Sequence, residues 1–227
     1  MNRGGPGNDP THDLWKNGAE VWANGRYLTE LITERSVDYI RRVARSGRPF
    51  FAYVAYNAPH YPMHAPREYL DRFPLLAPDR RVMAAMLSAV DDGVGALLAE
   101  LERQGALENT LVFFMSDNGP SRESRNWLDG RADPYYGGTA GKLKGHKFSL
   151  FEGGIRVCTI ARWPGKIPAG TRTDAITSMM DVLPTLAHLA GVELSDGRKR
   201  DGVNQWPVLA GIAQEQSPRD HFFYFRG

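Results

Sequence analysis

The sequence predicts an α/β fold, a mostly parallel sheet sandwiched by helices. Three observations predict it. Phe50-Phe51-Ala52-Tyr53-Val54-Ala55-Tyr56 and Leu111-Val112-Phe113-Phe114-Met115 are continuous apolar runs, the pattern of strands buried on both faces. Each run follows a segment with helical periodicity. A third strand-like run, Ile155-Arg156-Val157-Cys158-Thr159-Ile160-Ala161, is stopped by Trp163-Pro164-Gly165. Helix, strand, helix, strand is the order of a parallel α/β sheet.

The elements follow in sequence. Residues 1–26 read as loop, with Asn17-Gly18 and Asn24-Gly25 as turn signals. From Leu28 to Arg45, residues Leu28, Leu31, Ile32, Val37, Ile40 and Val43 form the apolar face of a helix, with Thr29 as its cap. The Phe50–Tyr56 strand ends in Asn57-Ala58-Pro59-His60-Tyr61-Pro62, a proline-bracketed loop. A long helix over Arg80–Gln104 carries the stripe Val82, Met83, Met86, Leu87, Val90, Val94, Leu97, Leu98 and Leu101, and Gly105 closes it. After the Leu111–Met115 strand comes a long polar stretch to Phe148, of a length that is commonly functional. Asp181–Ala190 reads as a helix that tolerates Pro184 near its start. Phe222-Phe223-Tyr224-Phe225 is a β-type run that, unpaired, invites aggregation, so a sheet partner is expected beyond Gly227.

Composition bounds the function. The 227 residues, 42% hydrophobic and 24% charged, suit a soluble globular chain with one large core or two small ones. A net charge of +2 points to neither nucleic acid nor membrane. One cysteine allows no intrachain disulfide. No apolar run approaches the length of a membrane span, and the polar N-terminus has no signal-peptide core.

Chemistry concentrates at three places. Ser116-Asp117-Asn118-Gly119-Pro120 follows the second strand, on the sheet edge where α/β proteins bind ligands. A carboxylate beside an amide carbonyl suits a hard cation such as Ca²⁺ or Mg²⁺. The same residues are also a plain turn sequence, and alone they favour the turn. His60 ends the first strand on the same expected edge. Lys142, Lys144, His146 and Lys147, interleaved with Gly141 and Gly145, form either a solvated basic loop or an anion site. Together these parts describe hydrolysis of an ester of a tetrahedral anion. A cation polarises the anionic oxygens, a lysine offsets transition-state charge, and a histidine protonates the leaving alkoxide.

The ordered set of segments resembles the sulfatase family of the alkaline-phosphatase-like superfamily. The matching pieces are Tyr27-Leu28-Thr29, Arg48-Pro49-Phe50-Phe51, Ala58-Pro59-His60-Tyr61-Pro62, Val90-Asp91-Asp92-Gly93-Val94-Gly95 and Ser116-Asp117-Asn118-Gly119. They continue with Gly145-His146-Lys147-Phe148-Ser149-Leu150-Phe151-Glu152-Gly153-Gly154-Ile155-Arg156 and Arg162-Trp163-Pro164-Gly165. Lys147 stands five residues before Glu152-Gly153-Gly154, as that family's active-site lysine does. The resemblance implies an alkaline-phosphatase-like fold. It implies Asp117 and Asn118 as ligands of Ca²⁺ (or Mg²⁺), Lys147 as the group that grips a sulfate oxygen, and His60 as sulfate contact and leaving-group acid. Asp91 and Asp92 are expected on a helix surface.

Family members also carry a Cys-or-Ser-x-Pro-x-Arg signature, whose first residue becomes the formylglycine nucleophile, and an Asp-Asp pair before it. That signature does not occur in the 227 residues. Cys158 has a similarly spaced arginine, Arg162, but no intervening proline, and is expected as a buried strand residue. The expected organisation is a partial catalytic domain over 1–212, incomplete at both ends, and the start of a C-terminal subdomain over 213–227. The metal-ligand set is expected to be incomplete in this chain. The resemblance implies a sulfate ester substrate. The alternatives are an inactive fragment or split-gene half that only binds anions, and a phosphodiesterase or phosphonate ester hydrolase of the same superfamily. A complementing N-terminal chain is a possible partner; nucleic acid and membrane are not expected. Relatives are commonly exported or lysosomal, and this chain has no readable address.

Overall fold

The structure, a computed structural model, describes residues 13–122, 137–195, 197–212 and 217–224. Its first element corrects the expected N-terminal loop. Asn17 (φ 52°) and Gly18 (φ 80°) make a two-residue turn with positive φ at both positions. That turn matches strand twist, so β1 (Trp15–Lys16) and β2 (Ala19–Glu20) pair antiparallel across it.

Contacts divide the chain into two units, Met1–Leu107 with Pro120–Gly141, and Glu108–Gly119 with Lys142–Gly227. In the first, α1 (Leu28–Ala44) and α3 (Pro78–Arg103) pack together, with the short α2 (Arg67–Leu70) against α3. Thr29 is not the α1 cap. Tyr27 holds that position in an extended conformation, and Thr29 lies buried inside the helix. Pro78 opens α3, where its missing N–H costs nothing. Gly105 (φ 67°) ends it: Gly105 N donates to Glu102 O and Ala106 N to Leu101 O, both 2.9 Å.

The core of this unit holds Leu31 and Ile40 on α1, Ala85, Met86, Ala89, Val90 and Leu101 on α3, and Met63 and Tyr69. Glu100 is fully buried. Its carboxylate accepts from Arg41 (Nε and Nη2, both 3.2 Å), Gln104 (2.8 Å) and Arg103, which compensates the buried charge. By length and composition α3 could cross a membrane, which the sequence reading did not expect. Its packing on α1 and α2 accounts for its apolar face, and its exposed face carries Asp91 and the Asp92–Arg72 ion pair.

The expected Phe50–Tyr56 strand is corrected. No described residue pairs with it, and Phe51 and Tyr53 are 66% and 78% exposed. The segment instead lies along α1. Phe50 meets the Tyr39 ring edge-on, Tyr39 Oη donates to Phe51 O (3.1 Å), and Tyr56 shares a hydrogen bond with Thr33 (2.8 Å). An apolar run says that a segment wants cover, but a strand also needs a hydrogen-bonded edge.

In the second unit β3 (Val112–Met115) pairs with β4 (Thr159–Arg162), and α4 (Glu152–Ile155) lies between them in sequence. The pairing is antiparallel, with Met115 opposite Thr159 and Val112 opposite Arg162. The architecture is α/β, but both ladders among the described residues are antiparallel rather than parallel. The chain entering β4 runs back alongside the chain leaving β3, with Ser116 N donating to Cys158 O (3.4 Å) and Gly119 N to Gly154 O (3.0 Å), so the two strands meet in opposite directions. Cys158 is exposed, not buried, as are Thr159 and Ile160, whose side chains alternate between the faces of a strand that has one neighbour among the described residues.

The remaining elements are α5 (Val182–Leu189) and α6 (Trp206–Leu209). A 3₁₀ turn over Met179–Asp181 precedes α5 and is closed by a Ser178–Asp181 capping box. Asp181 is buried at their junction. It accepts from Ser178 N, Val203 N, Gln205 Nε2 and Arg219 Nη2. Phe222–Tyr224 form no strand among the described residues, and Phe225 lies outside them. The 212/213 boundary abuts undescribed residues 213–216, and part of the long polar loop, 123–136, is undescribed as well.

Candidate active site

Asp117 and Asn118 sit where the β3–β4 ladder runs out. Beyond the Met115–Thr159 pair, Ser116 N donates to Cys158 O (3.4 Å), and Gly119 N donates to Gly154 O (3.0 Å). The two candidate ligands lie between these cross-chain bonds, which fix the loop at both ends. Asp117 is exposed, and its carboxylate has no hydrogen bond or ion pair with another described residue. Asn118 Nδ2 donates to Gly119 O (2.8 Å), so Oδ1, the atom a hard cation takes, remains as acceptor.

Glycines bring this loop against the basic segment. A Cβ on Gly119 would run into the Gly153 carbonyl oxygen. Gly153 N donates to Lys144 O (2.7 Å), and a Cβ there would meet Gly145 O at 2.5 Å and Lys144 O at 2.7 Å. On Gly154 it would come within 2.5 Å of His146 O and Ser149 O. Backbone therefore packs directly on backbone from Asn118-Gly119, through Gly153-Gly154, to Lys144–Ser149. Only glycine permits this approach.

Lys147 stands on a β-turn closed by Ser149 N donating to His146 O (2.9 Å). His146 N donates to Ser149 Oγ (3.0 Å), and His146 Nδ1 lies 2.7 Å from Lys147 O. Lys147 is half-buried, with Nζ 5.1 Å from the Phe148 ring centroid, and Lys144 Nζ lies 4.1 Å from that of Phe151. These aromatic faces attract the cations.

His60 lies in the first unit. Its Nδ1 is 2.9 Å from Tyr61 O, and its ring stacks on Tyr61 at 4.3 Å. A carbonyl can only accept, so in this arrangement Nδ1 carries a proton. Thus Asp117, Asn118 and Lys147 are held in one unit by a shared backbone junction, and His60 is carried by the other. The sequence reading passed over Gly153-Gly154 as a structural part of the site; the only signal was two adjacent glycines after an acidic residue.

A cation fits the chemistry of Asp117 and Asn118, both hard oxygen donors. Two donors are far fewer than the roughly six to eight oxygens Ca²⁺ takes. Among the described residues no group of three or more His, Cys, Asp or Glu could hold a metal.

Comparison with known proteins decides the family. The sulfatase family model matches residues 4–192. The chain belongs to the sulfatase family. This sulfatase segment is 35% identical over 200 residues to N-acetylgalactosamine-6-sulfatase of Canis lupus familiaris, covering 88% of the chain and 35% of the relative. It resembles the solved structure of Ps i-CgsB in complex with k-i-k-neocarrahexaose, with TM-score 0.75, 35% identity, and coverage of 89% of this chain and 42% of that one. It shares its fold with the phosphonate monoester hydrolase SpPMH from Silicibacter pomeroyi, with TM-score 0.61, 21% identity, and coverage of 86% and 42%. The chain spans about a third of the length of the curated relatives it matches.

Proposed function

We propose that these residues are part of the active site of a sulfuric ester hydrolase, with Asp117 and Asn118 as ligands of Ca²⁺ (or Mg²⁺) and His60 and Lys147 as candidate catalytic residues. The observation that carries this reading is the glycine junction, which fastens the Asp117-Asn118 loop to the Lys147 turn. A metal pair and an anion-binding lysine need a fixed separation, and a backbone-to-backbone contact supplies one.

The Lys147 ammonium binds a sulfate oxygen and offsets charge as the S–O bond breaks. His60 delivers a proton to the departing alkoxide. A cation held by Asp117 and Asn118 would polarise the sulfate oxygens. The nucleophile would be the family's formylglycine, whose signature these residues lack. The 227 residues by themselves are therefore expected to show no turnover. The substrate is a sulfate ester.

The test has two arms. The purified 227-residue chain, given Ca²⁺ and an aryl sulfate, shows no turnover. Co-expressed with a sulfatase N-terminal segment bearing the signature, it gains turnover that Lys147→Ala and His60→Ala each abolish. Turnover by the isolated chain, lost in Lys147→Ala, refutes the fragment reading. Reconstituted turnover indifferent to both substitutions refutes the site assignment. A phosphonate ester consumed faster than the sulfate ester moves the assignment to that hydrolase class.

A further inference from the structure

Lys147 and Phe148 occupy the two central positions of the His146–Ser149 turn, and Phe148 has φ 72°. The sign pattern, negative φ then positive φ, is that of a type II turn, which ordinarily wants glycine or asparagine at its third residue. A bulky aromatic there is strained. A flip of the Lys147–Phe148 peptide would give a type I turn with negative φ at residue 148, comfortable for phenylalanine. The closing bond from Ser149 N to His146 O does not choose between them, because both turn types make it.

One contact does choose. The 2.7 Å contact between His146 Nδ1 and Lys147 O acts on the very carbonyl that a flip would reverse. Because that carbonyl only accepts, Nδ1–H donates. The turn's ends cannot slide to relieve the strain: Gly154 packs on His146 O and Ser149 O, and Gly153 N is bonded to Lys144 O.

We propose that His146 is a positioning residue for Lys147, its imidazole selecting the strained turn on which the anion-binding lysine stands. This rests on the reading of Lys147 as a sulfate ligand. A peptide flip would reverse the Lys147 carbonyl and the Phe148 N–H and re-set the Phe148 ring, whose centroid lies 5.1 Å from Lys147 Nζ, and so change the seat of the ammonium group.

The experiment measures two things on the 227-residue chain: φ at residue 148 from NMR couplings without ligand, and affinity for inorganic sulfate. His146→Ala is expected to turn φ of residue 148 negative and to weaken sulfate binding roughly tenfold. His146→Asn keeps an N–H donor near the Nδ1 position and is expected to retain both wild-type values. The double variant His146→Ala/Phe148→Gly is expected to regain positive φ and affinity, because glycine adopts that conformation without strain. A purely structural histidine would not be rescued by glycine two residues away. Positive φ persisting in His146→Ala overturns the proposal. So does a flipped turn with unchanged sulfate affinity where Lys147→Ala still weakens binding. Sulfate affinity untouched by Lys147→Ala instead overturns the underlying assignment of Lys147, and the positioning role falls with it.

Discussion

Gly119 N donates to Gly154 O at 3.0 Å, joining the loop that carries Asp117 and Asn118 to the segment that carries Lys147. No side chain fits at this crossing, because a Cβ on Gly119 would overlap the Gly153 carbonyl. Gly119→Ala is expected to cost about 1–3 kcal/mol, the usual scale of overpacking against an unyielding backbone. Urea unfolding measures it. An unchanged midpoint would mean that the two loops are not welded.

Two glycines on α3 should respond oppositely to one substitution. A Cβ on Gly93 would meet Thr33 Oγ1 at 2.5 Å and Tyr56 Oη at 2.6 Å, the two atoms that share a hydrogen bond. Gly95 is exposed and has nothing within 4 Å. Gly95→Ala is expected to stabilise by about 0.5–1 kcal/mol through helix propensity, and Gly93→Ala to destabilise. Thermal melts of both variants decide the sign at each.

Arg72 grips Asp92 through two bonds, 2.8 and 3.2 Å, and lies over the Tyr69 ring. Hydrogen bonding from Arg72 holds the Asp92 carboxyl below its ordinary value of 3.8. A carboxyl depressed in the folded state stabilises above its unfolded value and loses that stabilisation as pH falls through the folded one. The stability gap between wild type and Asp92→Asn should be constant near neutrality and close as pH drops below 3.8. A gap independent of pH down to acid unfolding would refute the pair's contribution.

Asp181 and Arg219, 2.7 Å apart with side chains 3% and 12% exposed, tie the start of α5 to the segment after α6. Removing one partner strands the other charge, so Asp181→Ala is expected to cost about 3–5 kcal/mol. The loss should show as a lower unfolding midpoint in the second unit, and Arg219→Ala should not add to it fully in the double variant.

For the reconstituted enzyme, chelation of divalent cations should abolish turnover, and Asp117→Ala should raise the Ca²⁺ concentration needed to restore it by tenfold or more. Full activity in the presence of chelator would remove the metal role of this pair.

The sequence by itself determined the three longest helices: the expected bounds of α1, α3 and α5 fall within two residues of those observed, and Gly105 stops α3 because only a residue comfortable at φ 67° makes that cap. The four-residue α2, α4 and α6 are too short to show a periodicity and are not read from it. The order of short motifs also sufficed to mark the sulfatase family, since each motif is local. The tertiary structure alone decided the pairing. Phe50–Tyr56 and Leu111–Met115 look alike as strings, yet one lies on α1 and the other pairs antiparallel with β4, because hydrogen-bond partners are distant in sequence. Cys158 looked like core and is exposed, because burial depends on what covers a face rather than on the residue beneath. At the candidate site the chain named Asp117, Asn118, His60 and Lys147. Only the fold showed that Gly119, Gly153 and Gly154 fasten three of them, because glycine's part there is the space that it leaves empty.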